Sequence, residues 1–332
     1  MPNNASSDHA TPKNATPDRS QIVVTGSVAF DNIMDFPGYF KDHILPEKAH
    51  VINISFLVDK LTRQRGGCAA NIAYTLALLG ARPRIVAAAG NDFADYRSWL
   101  IEQGVDVDGI TVHDDEMTAN CYITTDRADC QITGFYVGAM KHAGELDLLE
   151  AAGSEAALVM IAPDDPQAMM NHAEAARQGG LPFFFDPSFQ VTAMDGDSLD
   201  KAAKGAKALF LNDYEFSVLR EKTGKTAEEI RREHEFLVVT YGSKGSEVLL
   251  PDGGSVSVPA AKVTKMVDPT GAGDAFRGGF MAGFRKGHDL GICGRMGSVA
   301  AVYCIEEYGT QNHDYTEDEF FARYESCFGT RP

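Results

Sequence analysis

Short apolar runs alternate with helical stretches over most of this 332-residue chain. QIVVTGSVAFDNI (21–33), PRIVAAAG, AALVMIAP, LPFFFDPS and KALFLNDYEF each open on a buried strand, and FLVVTYGSKGSEVLLP reads as two strands about a Gly-containing turn. Between them, DYRSWLIEQG and PQAMMNHAEAARQGG read as helices. Strands that are apolar along their whole length need cover on both faces, and intervening helices supply it. The pattern therefore predicts an α/β fold with a mostly parallel central sheet. Ligands of such sheets bind beyond the carboxyl ends of the strands.

Two segments, about 34–63 and 111–138, depart from the alternation. Their β-branched and aromatic runs, broken by Pro and Gly, predict short strands outside the main layer: a small β-sheet lid over one domain spanning about 21–330. Residues 1–20 are rich in Pro, Asn, Ser, Thr and Asp, lack the apolar core of a signal peptide, and are expected to be a disordered tail.

Composition excludes some partners. The formal net charge is -17. Nucleic acid and anionic membranes both need a basic face, so neither is expected. An anionic substrate needs a local source of positive potential in so acidic a chain. The six cysteines form no C-x-x-C pair and have no zinc spacing. Reduced cysteines in a cytoplasmic protein are the expectation. No apolar run approaches the roughly 18 residues that span a bilayer.

The stretch DPTGAGDAF (268–276) offers that positive potential. Gly271 and Gly273 flank Ala272 and precede an apolar helix. Glycines let backbone N–H groups converge, and a helix N-terminus adds partial positive charge. Asp274 falls in the first helical turn, where a carboxylate can accept a hydroxyl proton as that hydroxyl attacks phosphorus. The plainer alternative makes Asp268 and Asp274 acids favoured at a helix start. Two other motifs fail: Phe276 interrupts a G-x-G-x-x-G, and TGKT (223–226) has Leu219 where a P-loop needs glycine.

DPTGAGDAF resembles the C-terminal signature of the ribokinase-like, or PfkB, carbohydrate kinases; RGGCAANIAYTLALLG (65–80) resembles their N-terminal signature, and NDYE (212–215) their N-x-x-E motif. Within that family, TGSVAFDNIMDFPGYF, ILPEK, SFLVDKL, FADYRSWL and FYVGAM are most similar to bacterial adenosine kinases. The resemblance implies transfer of the ATP γ-phosphate to a nucleoside 5′-hydroxyl with Mg²⁺, and adenosine as acceptor.

By the same resemblance Asp274 is the base, and the backbone of Gly271, Ala272 and Gly273 is the anion hole. Asn212 and Glu215 organise Mg²⁺ and its waters, although their spacing equally fits a helix capping box. Thr240, Gly242, Lys244 and Gly245 approach the ATP, while Asp268, Thr270 and 306–311 resemble a K⁺ site. Asp31, Gly66, Gly67 and Asn71 line the sugar, with Ser27 and Ser55 at ribose- and base-side positions. A carboxylate such as Asp31 can accept from two ribose hydroxyls at once.

Phe135 resembles a lid aromatic stacked on the base, whereas Cys121 stands where relatives tend to carry a second aromatic. Arg277 either offsets local negative charge or lies at the surface. A sugar kinase of the same family is the alternative, with Lys41, His43 and Lys48 available to a substrate phosphate. Exposed lid edges make a homodimer the expected assembly.

Overall fold

The computed structural model describes residues 20–43, 55–128 and 130–332. The expected N-terminal tail (save Ser20), the ILPEK stretch and Lys48 lie outside the described residues.

Thirteen strands are described. They are β1 (Gln21–Thr25), β2 (Ala29–Asp35), β3 (Lys60–Gly66), β4 (Arg84–Gly90), β5 (Asp106–His113), β6 (Ala119–Thr125), β7 (Gln131–Tyr136), β8 (Ala156–Ile161), β9 (Phe183–Phe185), β10 (Ala208–Asn212), β11 (Phe236–Thr240), β12 (Ser246–Leu249) and β13 (Ser255–Val258). Nine form the main sheet in the order β13-β12-β11-β10-β9-β8-β1-β4-β5. From β11 to β5 every pair is parallel; β12 and β13 add an antiparallel edge.

The side chains alternate between two cores, one on each face. Ile22 and Val24 of β1, Leu158 and Met160 of β8, and Phe236 and Val238 of β11 enter one core. Their neighbours Val23, Val159, Ile161, Leu237 and Val239 enter the other. The helices Cys68–Leu78, Ala272–Arg285 and Leu290–Ile305 cover the first face, and the helices Pro166–Gln178 and Gly196–Ala203 cover the second. This is why the strands read as continuous apolar runs rather than alternating ones.

The remaining four strands form a separate sheet in the order β3-β2-β6-β7. β2 leaves the carboxyl end of β1 after Ser27 and Val28, so the small sheet grows from the edge where ligands of parallel sheets bind. Its limits differ from the sequence-based ones. The segment 106–113 pairs with β4 as the outer strand of the main sheet, so the second excursion begins at β6 rather than near 111. The first starts earlier, at Ala29, and runs to Gly66. Both shifts have one cause: β5 and β2 are half-buried, and their composition does not report which sheet covers them.

Phe280 sits at the centre of the first core, with its ring 5.1 Å from Phe210 and 5.8 Å from Phe236. Truncating it to alanine should cost about 3–5 kcal/mol. Denaturant unfolding of Phe280→Ala should show this as a lower midpoint with an unchanged slope; a changed slope would mean that the two cores unfold separately.

Candidate active site

Four strand ends bring the site together. Ser27 follows β1, Asp186 follows β9, Asn212 closes β10 and Thr240 closes β11, all at the carboxyl edge of the sheet. The sequence moves outward in opposite directions from β1 and β8, so the crevice lies by a topological switch point.

The helix Ala272–Arg285 points its N-terminus into this crevice. Its cap is Gly271 at φ 76°, a left-handed conformation that a side chain would strain. The first amides of any helix lack an intrahelical acceptor. The Ala272 N–H reaches Pro269 O at a long 3.3 Å, and the turn is otherwise held from below. Asp268 does the holding: one carboxylate oxygen accepts from Thr270 N (2.9 Å) and the other from Gly309 N (3.0 Å).

Asp274 lies in the first turn of this helix, partly buried, and accepts a hydrogen bond from Asn71 Nδ2 at 2.8 Å. Burial pushes its carboxyl above the usual range and Glu215 pushes the same way; the Arg277 guanidinium and hydrogen bonds from Asn71 and Cys68 pull it back. The result is a carboxylate with raised proton affinity that is still held by donors.

Asn71 stands on the helix Cys68–Leu78, whose N-cap Gly67 has φ 95°. A Cβ on Gly67 would lie 2.5 Å from Ser27 O, so only glycine lets this helix start against the end of β1. Ser27 is buried and its Oγ accepts from Cys68 N at 3.0 Å, which makes it a cap for that helix. Its hydroxyl is thus engaged within the protein.

Asp31 of β2 packs its carboxylate against Gly66, where an added Cβ would come within 2.5 Å of Oδ2. Burial pushes Asp31 up to about 6, and the charges of Asp268 and Asp274 add to the rise. The strand register places Asp31 beside Gln64 of β3 and Cys121 of β6, and Cys121 beside Phe135 of β7. Paired residues share a sheet face, so Gln64, Asp31, Cys121 and Phe135 form one row across the small sheet. Phe135 is 49% exposed, a large ring left uncovered in that row. Ser55 is exposed and, among the described residues, no hydrogen bond ties it to this row.

Arg277 is buried, not at the surface. It is paired with the fully buried Asp186 through Nη2 to Oδ1 at 2.7 Å and through a second contact from Nε to Oδ2. Burial opposes the guanidinium charge, while Asp186, Glu215 and Asp274 together hold it on. Its Nη1 lies so close to Gly273 that a Cβ there would be 2.8 Å away. One fixed cation therefore sits under the glycine turn.

Asn212 and Glu215 form a reciprocal capping box, with Glu215 N donating to Asn212 Oδ1 (2.8 Å) and Asn212 N to Glu215 Oε2 (2.7 Å). Glu215 is nevertheless buried within electrostatic reach of Asp274 and Arg277, so the cap and a place beside these two charges coexist. Thr240 pairs with Asn212 across the sheet. Lys244 is exposed on the turn Gly242–Lys244 just beyond, and Gly245 at φ 95° closes it. The site thus has two halves, an Asp31 half under the small sheet and an Asn212–Lys244 half along the main sheet, with Asp274 between them.

The family model for pfkB family carbohydrate kinases matches residues 24–317. The chain belongs to this family. It is a phosphotransferase acting on a hydroxyl group. It is 31% identical over 314 residues to a nucleoside kinase of Methanothermobacter thermautotrophicus, covering 94% of this chain and 97% of the relative. Its structure is similar to that of a nucleoside kinase from Burkholderia thailandensis in complex with inosine, with a TM-score of 0.85 at 36% identity over 94% of this chain and 99% of that one. A nucleoside kinase of Methanocaldococcus jannaschii, an archaeal member of the ribokinase family, has a TM-score of 0.85 at 29% identity over 93% and 99% of the two chains.

Asp186 is a residue of this crevice that sequence reasoning missed. Asp186 had a visible sign, an acid directly after the apolar FFF run, but its partner is 91 residues away. Arg277→Met leaves Asp186 as a buried carboxyl without its cation, a change that typically costs about 3–5 kcal/mol. The lost partner raises the folded-state proton affinity of Asp186 further above its unfolded value. A carboxyl with a raised folded pKa contributes less stability as pH rises. Unfolding of Arg277→Met from pH 5 to pH 8 should therefore show a growing deficit against wild type; a constant deficit would mean that Asp186 stays charged without Arg277.

Proposed function

We propose that the protein is an ATP- and Mg²⁺-dependent nucleoside kinase that phosphorylates the ribose 5′-hydroxyl of purine nucleosides, adenosine among them. The observation that carries this reading is the row that sets Asp31, which suits a pair of ribose hydroxyls, on the same sheet face as the uncovered ring of Phe135. A flat base stacks on an aromatic face; a bare sugar gains little from one. The relative from Burkholderia thailandensis, whose structures include inosine and ADP-inosine complexes, supports a purine. Stacking is indifferent to the purine 6-substituent, so adenosine and inosine are both expected acceptors.

Asp31 accepts from the ribose hydroxyls and fixes the sugar, and Phe135 carries the base. Cys121, between them in the row, gives the base one aromatic wall rather than two. Asp274 removes the proton of the 5′-hydroxyl as its oxygen attacks the γ-phosphorus, and the N-terminus of its helix with the Gly271–Gly273 backbone receives the charge of the transferred group. ATP lies along the ends of β10 and β11, towards Thr240, Gly242, Lys244 and Gly245.

No set of three or more acidic, His or Cys side chains that could cage a metal occurs among the described residues. Magnesium is commonly held by phosphates and waters with one or two carboxylates. Glu215, with Asn212, would orient those waters, and the ion would neutralise phosphate charge. A K⁺ ion beside Asp268 and Thr270 would reinforce a loop that Asp268 already ties through two amides. An oligomer built through the small sheet belongs to the same proposal.

Initial rates with ATP and Mg²⁺ test this against adenosine, inosine, cytidine, ribose, fructose and fructose 6-phosphate. Adenosine and inosine should lead, within about tenfold of each other, and the sugars should trail by about a hundredfold or more. Asp274→Asn should bind nucleoside while turning over about 10²–10⁴-fold more slowly. A sugar in the lead would assign Phe135 to packing.

Asp31 adds a pH dependence. It binds ribose as a carboxylate, and protonation converts an acceptor into a donor. With its pKa near 6, kcat/KM for the nucleoside should hold above about pH 7 and fall as pH drops through 6. Asp31→Asn should raise KM and remove the Asp31 part of that limb, leaving the fall owed to Asp274; an unchanged limb would assign it to another group.

A further inference from the structure

A chain of buried amide and hydroxyl groups runs away from Asp274. Asn71, Gln311 and Tyr96 are 5%, 3% and 1% exposed. Asn71 Nδ2 donates to Asp274 Oδ2 at 2.8 Å, and Asn71 Oδ1 accepts from Gln311 Nε2 at 2.6 Å. The same Gln311 nitrogen donates to the Tyr96 hydroxyl oxygen at 2.6 Å. The one proton of Tyr96 has Gly66 O and Gln311 Oε1 as acceptors, each at 2.9 Å. Whichever takes it, the Tyr96 oxygen accepts from Gln311.

This sets a direction. The Gln311 amide spends both protons, one on Tyr96 and one on Asn71. Asn71 must then offer its oxygen to Gln311 and its NH₂ to Asp274. A reversed Asn71 would place a carbonyl against the carboxylate and leave the Gln311 proton unpaired, and both are costly in a buried site. We propose that Gln311 and Tyr96 are positioning residues which fix the Asn71 amide with its donor towards Asp274 and so set the proton affinity of the base. The proposal rests on the reading of Asp274 as the base.

The other groups that face Asp274 are Arg277 on its own helix, Cys68 on the Asn71 helix, Glu215 after β10, Asp31 on β2, Asp186 after β9 and Cys304 on the helix Leu290–Ile305. Of these only Asp31 also acts on Tyr96, through its charge. The Asn71 donor is the contribution that such a change removes.

The experiment is the single-turnover phosphoryl-transfer rate against pH, with the full chain, saturating ATP, Mg²⁺ and adenosine. Bound nucleoside takes Asp31 out of the profile, so the acid limb reports the base. Gln311→Met should move the limb to higher pH by about one unit, and Tyr96→Phe by less, with nucleoside KM within about threefold of wild type. A role in folding alone would lower the Tm without moving the limb. Tyr96→Phe removes a single oxygen from a buried ring, so it decides the matter should Gln311→Met fail to fold. A limb at the wild-type position in Tyr96→Phe, with Gln311→Met either unmoved or unfolded, overturns the relay. Asp274→Asn, run in parallel, separates the two ideas. If it keeps wild-type turnover, the base reading fails; if it is inactive and the limbs are unmoved, only the relay fails.

Discussion

Carboxylates crowd this crevice, and one buried guanidinium makes the crowding tolerable. Asp31, Asp186, Glu215, Asp268 and Asp274 are near enough for the charge of one to raise the proton affinity of another. The chain carries a net charge of -17, so no general field offsets them. Arg277 does, by pairing with Asp186 below the glycine turn while lowering the proton affinity of Asp274 from within the same helix. An arginine suits this place because its planar fork bonds two oxygens and keeps its charge when buried. The helix N-terminus supplies the rest of the positive potential without adding a side chain. The arrangement keeps Asp274 ionisable beside four other carboxylates.

The small sheet depends on the same construction. β2 departs from the end of β1, and β3 returns to the Gly66–Gly67 turn from which the Asn71 helix starts. The sheet is also tied to the main body by side-chain contacts. Arg63 of β3 pairs with Asp92 at 2.5 Å, Arg65 stacks on Trp99 at 4.3 Å from the ring centroid, and the Thr310 hydroxyl donates to Arg65 O at 3.1 Å. Asp31 and Asn71 thus lie on opposite sides of one turn, and a shift of the sheet would move Asp31 relative to Asp274.

The sequence carried the main sheet because buried parallel strands announce themselves as apolar runs between helices. It carried the anion turn because glycines, a helix start and an acid had to coincide in DPTGAGDAF. Half-exposed strands were less legible. β5 ends in GITVH, whose β-branched residues resemble the lid strands that follow, and only its pairing with β4 assigns it to the main sheet. What Arg277, Gln311 and Tyr96 pair with was illegible for another reason. Each acts through a partner far along the chain, 215 residues for Gln311 and Tyr96, and a lone polar residue in an apolar helix or loop carries no mark of what it meets. Ser27 shows a position with two uses: its Oγ accepts from the Cys68 amide at the start of a helix, and an accepting hydroxyl still has its proton to donate.

The two signature segments meet in register, and this explains residues in them that touch no reacting group. Asn71 bonds Asp274, and one helical turn further along both helices a Cβ on Gly278 would come within 2.6 Å of Thr75 Cβ. A glycine there lets the helices approach closely enough for the amide to reach the carboxylate. On the opposite side, a Cβ on Gly279 would meet Met296 O at 2.7 Å and Gly297 Cα at 2.9 Å, so the next helix presses from behind. The helix that carries Asp274 is thus held closely on two sides, by the Thr75 side chain and Ile72 O on one and by the Met296–Gly297 backbone on the other. The glycines of GAGDAFRGGF therefore divide their work: Gly271 and Gly273 shape the anion turn, and Gly278 and Gly279 set the depth at which Asp274 stands.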